Sequence, residues 1–222
     1  MKYYPAYLDI RNRKCLVVGG GRVALRKVEG LLKAGGRVTV VSPEFEEGFA
    51  RLAKSPCLEI IRRSYSNNDL DGSFLVIGAT DNSDLNRKIS RDAESKNMLC
   101  NIADVPEACN FILPSVVQRG DLIIAISTSG KSPAFARHLR KQLEKQFGEE
   151  YTDFLQLMGA VRKKLLAQKH APEEHKPLFQ QLIAGGLAGM IREGKTDQAD
   201  KLLQKVLGKG FDYKSLMNKA ED

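Results

Sequence analysis

Tryptophan is absent from the 222 residues, histidine occurs three times, and aromatic residues make up only 7%. An RNA-binding sheet that stacks bases on aromatics is therefore not expected, and no zinc-finger spacing points to DNA. The four cysteines (Cys15, Cys57, Cys100, Cys109) form no C-x-x-C pair, which argues against a zinc ribbon or a redox dithiol. No apolar run approaches the roughly 18–20 residues of a spanning helix; Leu122–Ile126 is strand-sized. Met1–Pro5 lacks the apolar core of a signal peptide. A soluble cytoplasmic protein with no nucleic-acid or membrane partner is expected. What is present is positive charge, 35 Lys+Arg against 27 Asp+Glu, which favours an anionic partner without choosing among phosphates, polycarboxylates and nucleic acid.

The first half alternates strand-like and helix-like runs. Lys14–Val18 is a buried-strand pattern that stops at Gly19-Gly20-Gly21, and Val23–Leu32 then repeats at helical spacing. Strands follow at Arg37–Val41, Leu58–Arg62, Phe74–Ala79 and Asn97–Ile102, with helices expected over Glu44–Ala53 and Asn82–Ser95. Such alternation implies parallel pairing, a Rossmann-like doubly wound α/β sheet. Beyond it, Phe111–Val117 and Asp121–Ser127 read as an antiparallel hairpin joined by Gln118-Arg119-Gly120. Ser132-Pro133 then opens a helix. From Glu149 onward the pattern is helical: Tyr151–Gln168, Lys176–Arg192, Thr196–Leu207 and Tyr213–Ala220. The expected divisions are 1–113, 114–148 and 149–222.

Gly19-x-Gly21-x-x-Ala24 follows a strand and opens a helix, the context of a dinucleotide fingerprint. Gly19 permits the tight turn, Gly21 lets a pyrophosphate approach the backbone, and Ala24 keeps the helix close to the strand. Arg22 and Val23 complete that turn. The acid that usually holds the adenosine ribose is missing from Val41-Ser42-Pro43-Glu44, so Ser42 and a displaced Glu44 are the substitutes. No Arg or Lys follows that strand, which favours NAD over NADP. Ala79 and Thr80 end the fourth strand, where small residues admit a nicotinamide ribose; Asp81 or Asn82 capping the next helix is the plainer reading. Asp104 ends the fifth strand as either a general base or a turn-stabilising aspartate before Pro106. The 131–145 segment, with Lys131, Arg137 and Arg140, is either a solvated face or a clamp for carboxylates. His170 and His175 fall in a polar linker with no metal-cluster neighbours.

Together these blocks resemble the precorrin-2 dehydrogenase/sirohydrochlorin ferrochelatase family, which includes the N-terminal module of siroheme synthase. The residues that carry the likeness are Cys15–Lys27, Gly78–Asp81, Asn101–Asp104 continuing to Phe111–Ser115, and Ser127–Pro133 with Ala136-Arg137. The resemblance implies NAD-dependent oxidation of precorrin-2 to sirohydrochlorin, on a homodimer whose 114–148 segment forms the interface. It places the family's key aspartate on Asp104 and implies substrate contacts from Asn101, Ser127, Thr128, Lys131, Arg137 and Arg140. In bifunctional members the same cleft inserts Fe²⁺ (Co²⁺ being the other candidate), with no permanent metal site. The rival readings are a dehydrogenase served by a separate chelatase and a non-catalytic NAD sensor.

Overall fold

A computed structural model describes residues 2–168 and 172–218, and contacts divide the chain into two compact units, Met1–Leu113 and Pro114–Asp222. His170 and residues 219–220 of the last expected helix lie outside the described residues.

In the first unit five parallel strands run β1 (Lys14–Val18), β2 (Arg37–Ser42), β3 (Leu58–Arg62), β4 (Leu75–Gly78) and β5 (Leu99–Ile102), in spatial order β3-β2-β1-β4-β5. β1 takes the centre because both of its faces are apolar: Cys15 and Val17 face one side, Leu16 and Val18 the other, all at most 2% exposed. The helix α1 (Arg22–Lys33) buries Ala24, Val28 and Leu31, one stripe at three- and four-residue spacing, on the Val17 and Val40 face. On the opposite face α3 (Ser83–Ser95) buries Ile89 and Ala93 against Leu16 and Val76. Each buried Val, Leu or Ile among them contributes about 1.5–3 kcal/mol. The strand order reverses between β1 and β4, which opens a crevice at the C-terminal edge of the sheet.

The α/β architecture and the parallel sheet agree with the sequence. One connection differs. The helix expected over 44–53 is reduced to α2 (Gly48–Leu52). Residues 44–46 are instead drawn across the glycine turn, where the Glu46 N–H donates to the Gly20 carbonyl at 2.9 Å.

After β3 the chain is pinned by Asp69, whose side chain is only 7% exposed and accepts from both Arg63 amino groups (2.9 and 2.5 Å) and from the Ser66 N–H (2.8 Å). The Arg63 guanidinium holds this carboxyl below its usual value against the opposing effect of burial. The stability it adds is therefore full above the ordinary carboxylate value near pH 4 and is lost as pH falls from there through the lowered native value. Asp69→Ala is expected to cost about 1–3 kcal/mol at neutral pH, since it strands the Ser66 and Arg63 donors. Urea unfolding at pH 7 and at acid pH checks this, because the gap to wild type should narrow on acidification.

In the second unit β6 (Ser115–Arg119) and β7 (Leu122–Ile126) form an antiparallel hairpin. Its turn is shorter than the three residues expected: Arg119 pairs with Leu122, and Gly120 takes φ +54° as the first residue of a two-residue turn. The hairpin leads to α4 (Pro133–Gln146), which Ser132 caps by accepting the Phe135 N–H at 3.2 Å. Then come α5 (Glu150–Ala167), α6 (Pro172–Ala184), α7 (Leu187–Arg192), α8 (Thr196–Leu207) and α9 (Tyr213–Asn218). They share a core that includes Leu157, Leu182, Leu187 and Leu203. The single helix expected over 176–192 is broken at Gly185-Gly186, where Gly186 adopts φ +79°. His175 lies within α6 and is buried, so it belongs to a helix rather than to a linker.

Candidate active site

The crevice is a cleft of about 1020 Å³ whose walls come from the ends of β1, β2, β4 and β5. At its floor the chain leaves β1 through Gly19, with φ +121°. A Cβ at Gly19 would collide with the Ala79 carbonyl, and one at Gly20 with the Glu44 carbonyl, so both glycines are demanded by the backbone that crosses them. Gly21 differs: its φ is −84° and no atom lies within 4 Å of where its Cβ would stand. The space beside Gly21 is therefore open to a ligand. It is also the N-cap of α1, with no side-chain cap and no acid in the first turn. The first-turn amides and the positive end of the helix are consequently left unsatisfied by the helix's own side chains, which suits a pyrophosphate.

The cleft brings together Gly19, Gly21, Arg22, Val23, Ser42, Pro43, Glu44, Ala79, Thr80 and Asp104. Ala24 is not among its walls: it is wholly buried behind the turn, where it lets α1 lie close to the sheet. The Thr80 hydroxyl is engaged locally, donating to Asn86 Oδ1 at 2.8 Å. Asn82 caps α3, accepting the Asp84 and Leu85 N–H groups at 3.0 Å each.

Asp104 is exposed at the cleft on a tight turn after β5 and has φ +62°. The turn is clamped from behind. The Ala103 N–H donates to the Gly78 carbonyl at 2.8 Å, and Cys109 Sγ accepts the Ile102 N–H at 3.1 Å and lies 3.2 Å from the Val105 carbonyl. Burial pushes the Cys109 thiol up, so it remains a neutral hydrogen-bonding group. Burial also pushes the half-buried Lys27 ammonium of α1 down, with Arg26 adding to the effect; the Asp104 carboxylate opposes it. Asn101 does not reach the cleft. It is 8% exposed in β5 and donates to the Phe111 carbonyl at 3.0 Å, pinning the segment that leaves the sheet.

Ser127, Thr128, Lys131, Arg137 and Arg140 belong to the second unit. Ser127 Oγ accepts the Ser129 N–H at 3.0 Å and Thr128 Oγ1 the Ser132 N–H at 3.1 Å, so both shape the turn before α4. Arg140 is paired with Glu144 at 2.6 Å, whereas Lys131 and Arg137 have no ion pair among the described residues.

Sequence reasoning missed Glu46, Cys109 and Lys27. Glu46 reaches the cleft beside the glycine turn, with one carboxylate oxygen 3.5 Å from Arg22 Nε and the other buried without a hydrogen bond among the described residues. Only the position of Glu44–Glu47 as a loop reveals it. Among the described residues no three His, Cys, Asp or Glu side chains come together as a metal cluster, and no helix is long and apolar enough to cross a membrane.

Comparison with known proteins agrees with this geometry. Residues 6–115 match a family described as putative NAD(P)-binding, and residues 119–146 match one described as sirohaem biosynthesis protein central. Siroheme synthase of Vesicomyosocius okutanii is 37% identical over 93% of this chain and 44% of its own length. That of Thioalkalivibrio sulfidiphilus is 38% identical over 96% of this chain and 43% of its own. The chain thus spans less than half the length of these curated relatives. A solved structure described as SirC, precorrin-2 dehydrogenase, superposes with a TM-score of 0.75 at 26% identity, covering 92% of this chain and 98% of that one. On these matches the chain belongs to the siroheme synthase and precorrin-2 dehydrogenase family.

Proposed function

We propose that the protein is an NAD-dependent dehydrogenase that oxidises precorrin-2 to sirohydrochlorin and also inserts Fe²⁺ to give siroheme. The observation that carries this reading is the placement of the Asp104 carboxylate on the same cleft as the glycine turn, so that a base and a hydride acceptor meet at one site. A nicotinamide held in this cleft would supply the hydride acceptor. The chain's own residues do the rest. The Gly19–Gly21 turn and the first amides of α1 hold the pyrophosphate, Ser42 and Glu44 face the adenosine ribose, and Ala79 leaves room for the dinucleotide backbone. Asp104 accepts the proton that leaves the reduced macrocycle. The same carboxylate suits metal insertion, in which pyrrole protons must depart as Fe²⁺ enters; iron is here a substrate. Lys131, Arg137 and Arg140 supply charge suited to a tetrapyrrole polycarboxylate, with Ser127 and Thr128 shaping their loop and Asn101 supporting the site from behind.

A homodimer fits the hairpin, whose outer face carries the exposed Val116 and Ile123 at 41% each. A two-stranded ribbon with such a face is marginal by itself.

The test is anaerobic. Purified protein with precorrin-2 and NAD should show NADH formation in step with the pigment change; no NAD-dependent change would sink the proposal. Adding Fe²⁺ to sirohydrochlorin should then give insertion faster than a protein-free control. A rate equal to that control removes the chelatase half alone.

A further inference from the structure

A cation that β2 does not supply stands beside the Ser42 end of the cleft, behind one of its walls. β3 pairs with β2 so that Arg62 stands directly beside Ser42, the last residue of β2. The Arg62 guanidinium lies over the ring of Phe45, 5.1 Å from its centroid. Phe45 is itself a wall of the cleft. Its ring packs edge-on against the buried Phe49 at 5.0 Å, so the platform under the guanidinium is anchored in the core. Arg62 is exposed and has no ion pair among the described residues, whereas its neighbour Arg63 is tied to Asp69.

Discrimination against a 2′-phosphate on the adenosine ribose ordinarily comes from an acid at the end of the second strand, and acceptance from an arginine nearby. Here the acid's own place is taken by the short, neutral Ser42, and the nearest carboxylate on that segment, Glu44, is displaced by two residues. A stacked arginine, whose planar fork suits phosphate oxygens, stands one strand away. We propose that Arg62 is a specificity-determining residue that lets the cleft accept dinucleotides carrying a 2′-phosphate, so that NADP binds alongside NAD. This rests on the reading of the cleft as a dinucleotide site and extends it to the choice of cofactor.

The test is calorimetric titration of the full-length protein with NAD and with NADP at one fixed salt concentration. Wild type should bind NADP within about tenfold of NAD. Arg62→Gln should weaken NADP by about tenfold or more, the scale of losing a charge-assisted hydrogen bond, while NAD changes less than threefold. Arg62→Lys should recover part of the NADP affinity. Wild-type NADP binding more than tenfold weaker than NAD, or equal losses for both cofactors in Arg62→Gln, would overturn the assignment and leave the NAD site intact. Failure of NAD itself to bind would instead remove the dinucleotide reading on which it rests.

Discussion

Asp104→Asn is expected to lower dehydrogenase turnover by about 10²–10⁴-fold, the usual contribution of a positioned general base, while dinucleotide affinity stays within about threefold of wild type. Asparagine is the informative replacement because of the backbone. At φ +62° a residue with an ordinary Cβ is disfavoured, and Asp and Asn tolerate this region better than most. The substitution therefore keeps the turn and its clamp from Cys109 Sγ and removes only the carboxylate's basicity. Asp104→Ala would mix loss of the base with roughly 1–2 kcal/mol of backbone strain. Steady-state rates with precorrin-2, together with titration of NAD, separate the two effects. A variant with unchanged turnover would show that Asp104 only stabilises its turn, the alternative the sequence left open.

The second large effect divides two glycines two residues apart. Gly19→Ala is expected to destabilise the protein by about 2–6 kcal/mol, combining strain at φ +121° with the collision of its Cβ against the Ala79 carbonyl. Against a total of about 5–15 kcal/mol, that brings the first unit close to unfolding. Gly21→Ala meets neither obstacle, because its φ is ordinary and its Cβ would have open space around it. Its stability should fall by no more than about 1 kcal/mol, the cost of a poorer N-cap. Its affinity for dinucleotide should fall by about tenfold or more, because the added methyl stands where the pyrophosphate must approach. Thermal unfolding and cofactor titration on both variants make the comparison. Equal NAD affinity in Gly21→Ala and wild type would place the pyrophosphate elsewhere.

Much of this architecture can be read from local pattern, because local pattern causes it. β1, β3 and α8 have the bounds read from their apolar patterns; a glycine closes β1 and another closes α8, and β1, as the central strand, must be apolar on both faces. The departures arise where a distant backbone decides. Glu44–Glu47 has helical composition, yet the glycine turn draws this segment into a loop. Gly186 interrupts an otherwise continuous apolar stripe by adopting a left-handed conformation. The site divides in the same way. The residues on the glycine turn and at the strand ends follow from motif and spacing. Arg62 becomes visible only once β3 is known to pair with β2, and Cys109 only once the chain after β5 folds back on its own turn.

The strand order also sets a timetable for the nascent chain. β1 leaves the ribosome first yet occupies the middle of the sheet, and its partner on one side, β4, follows only after β2 and β3 have been made. At about 5–20 residues per second this interval lasts several seconds. Throughout it one edge of β1 has no neighbour, and the Ala79 carbonyl that crosses Gly19 does not yet exist. Closing that long-range pairing raises the contact order of the first unit and slows its final folding step. The glycine turn is thus synthesised ahead of most of the sheet that surrounds it and is among the last of that sheet's parts to take its shape.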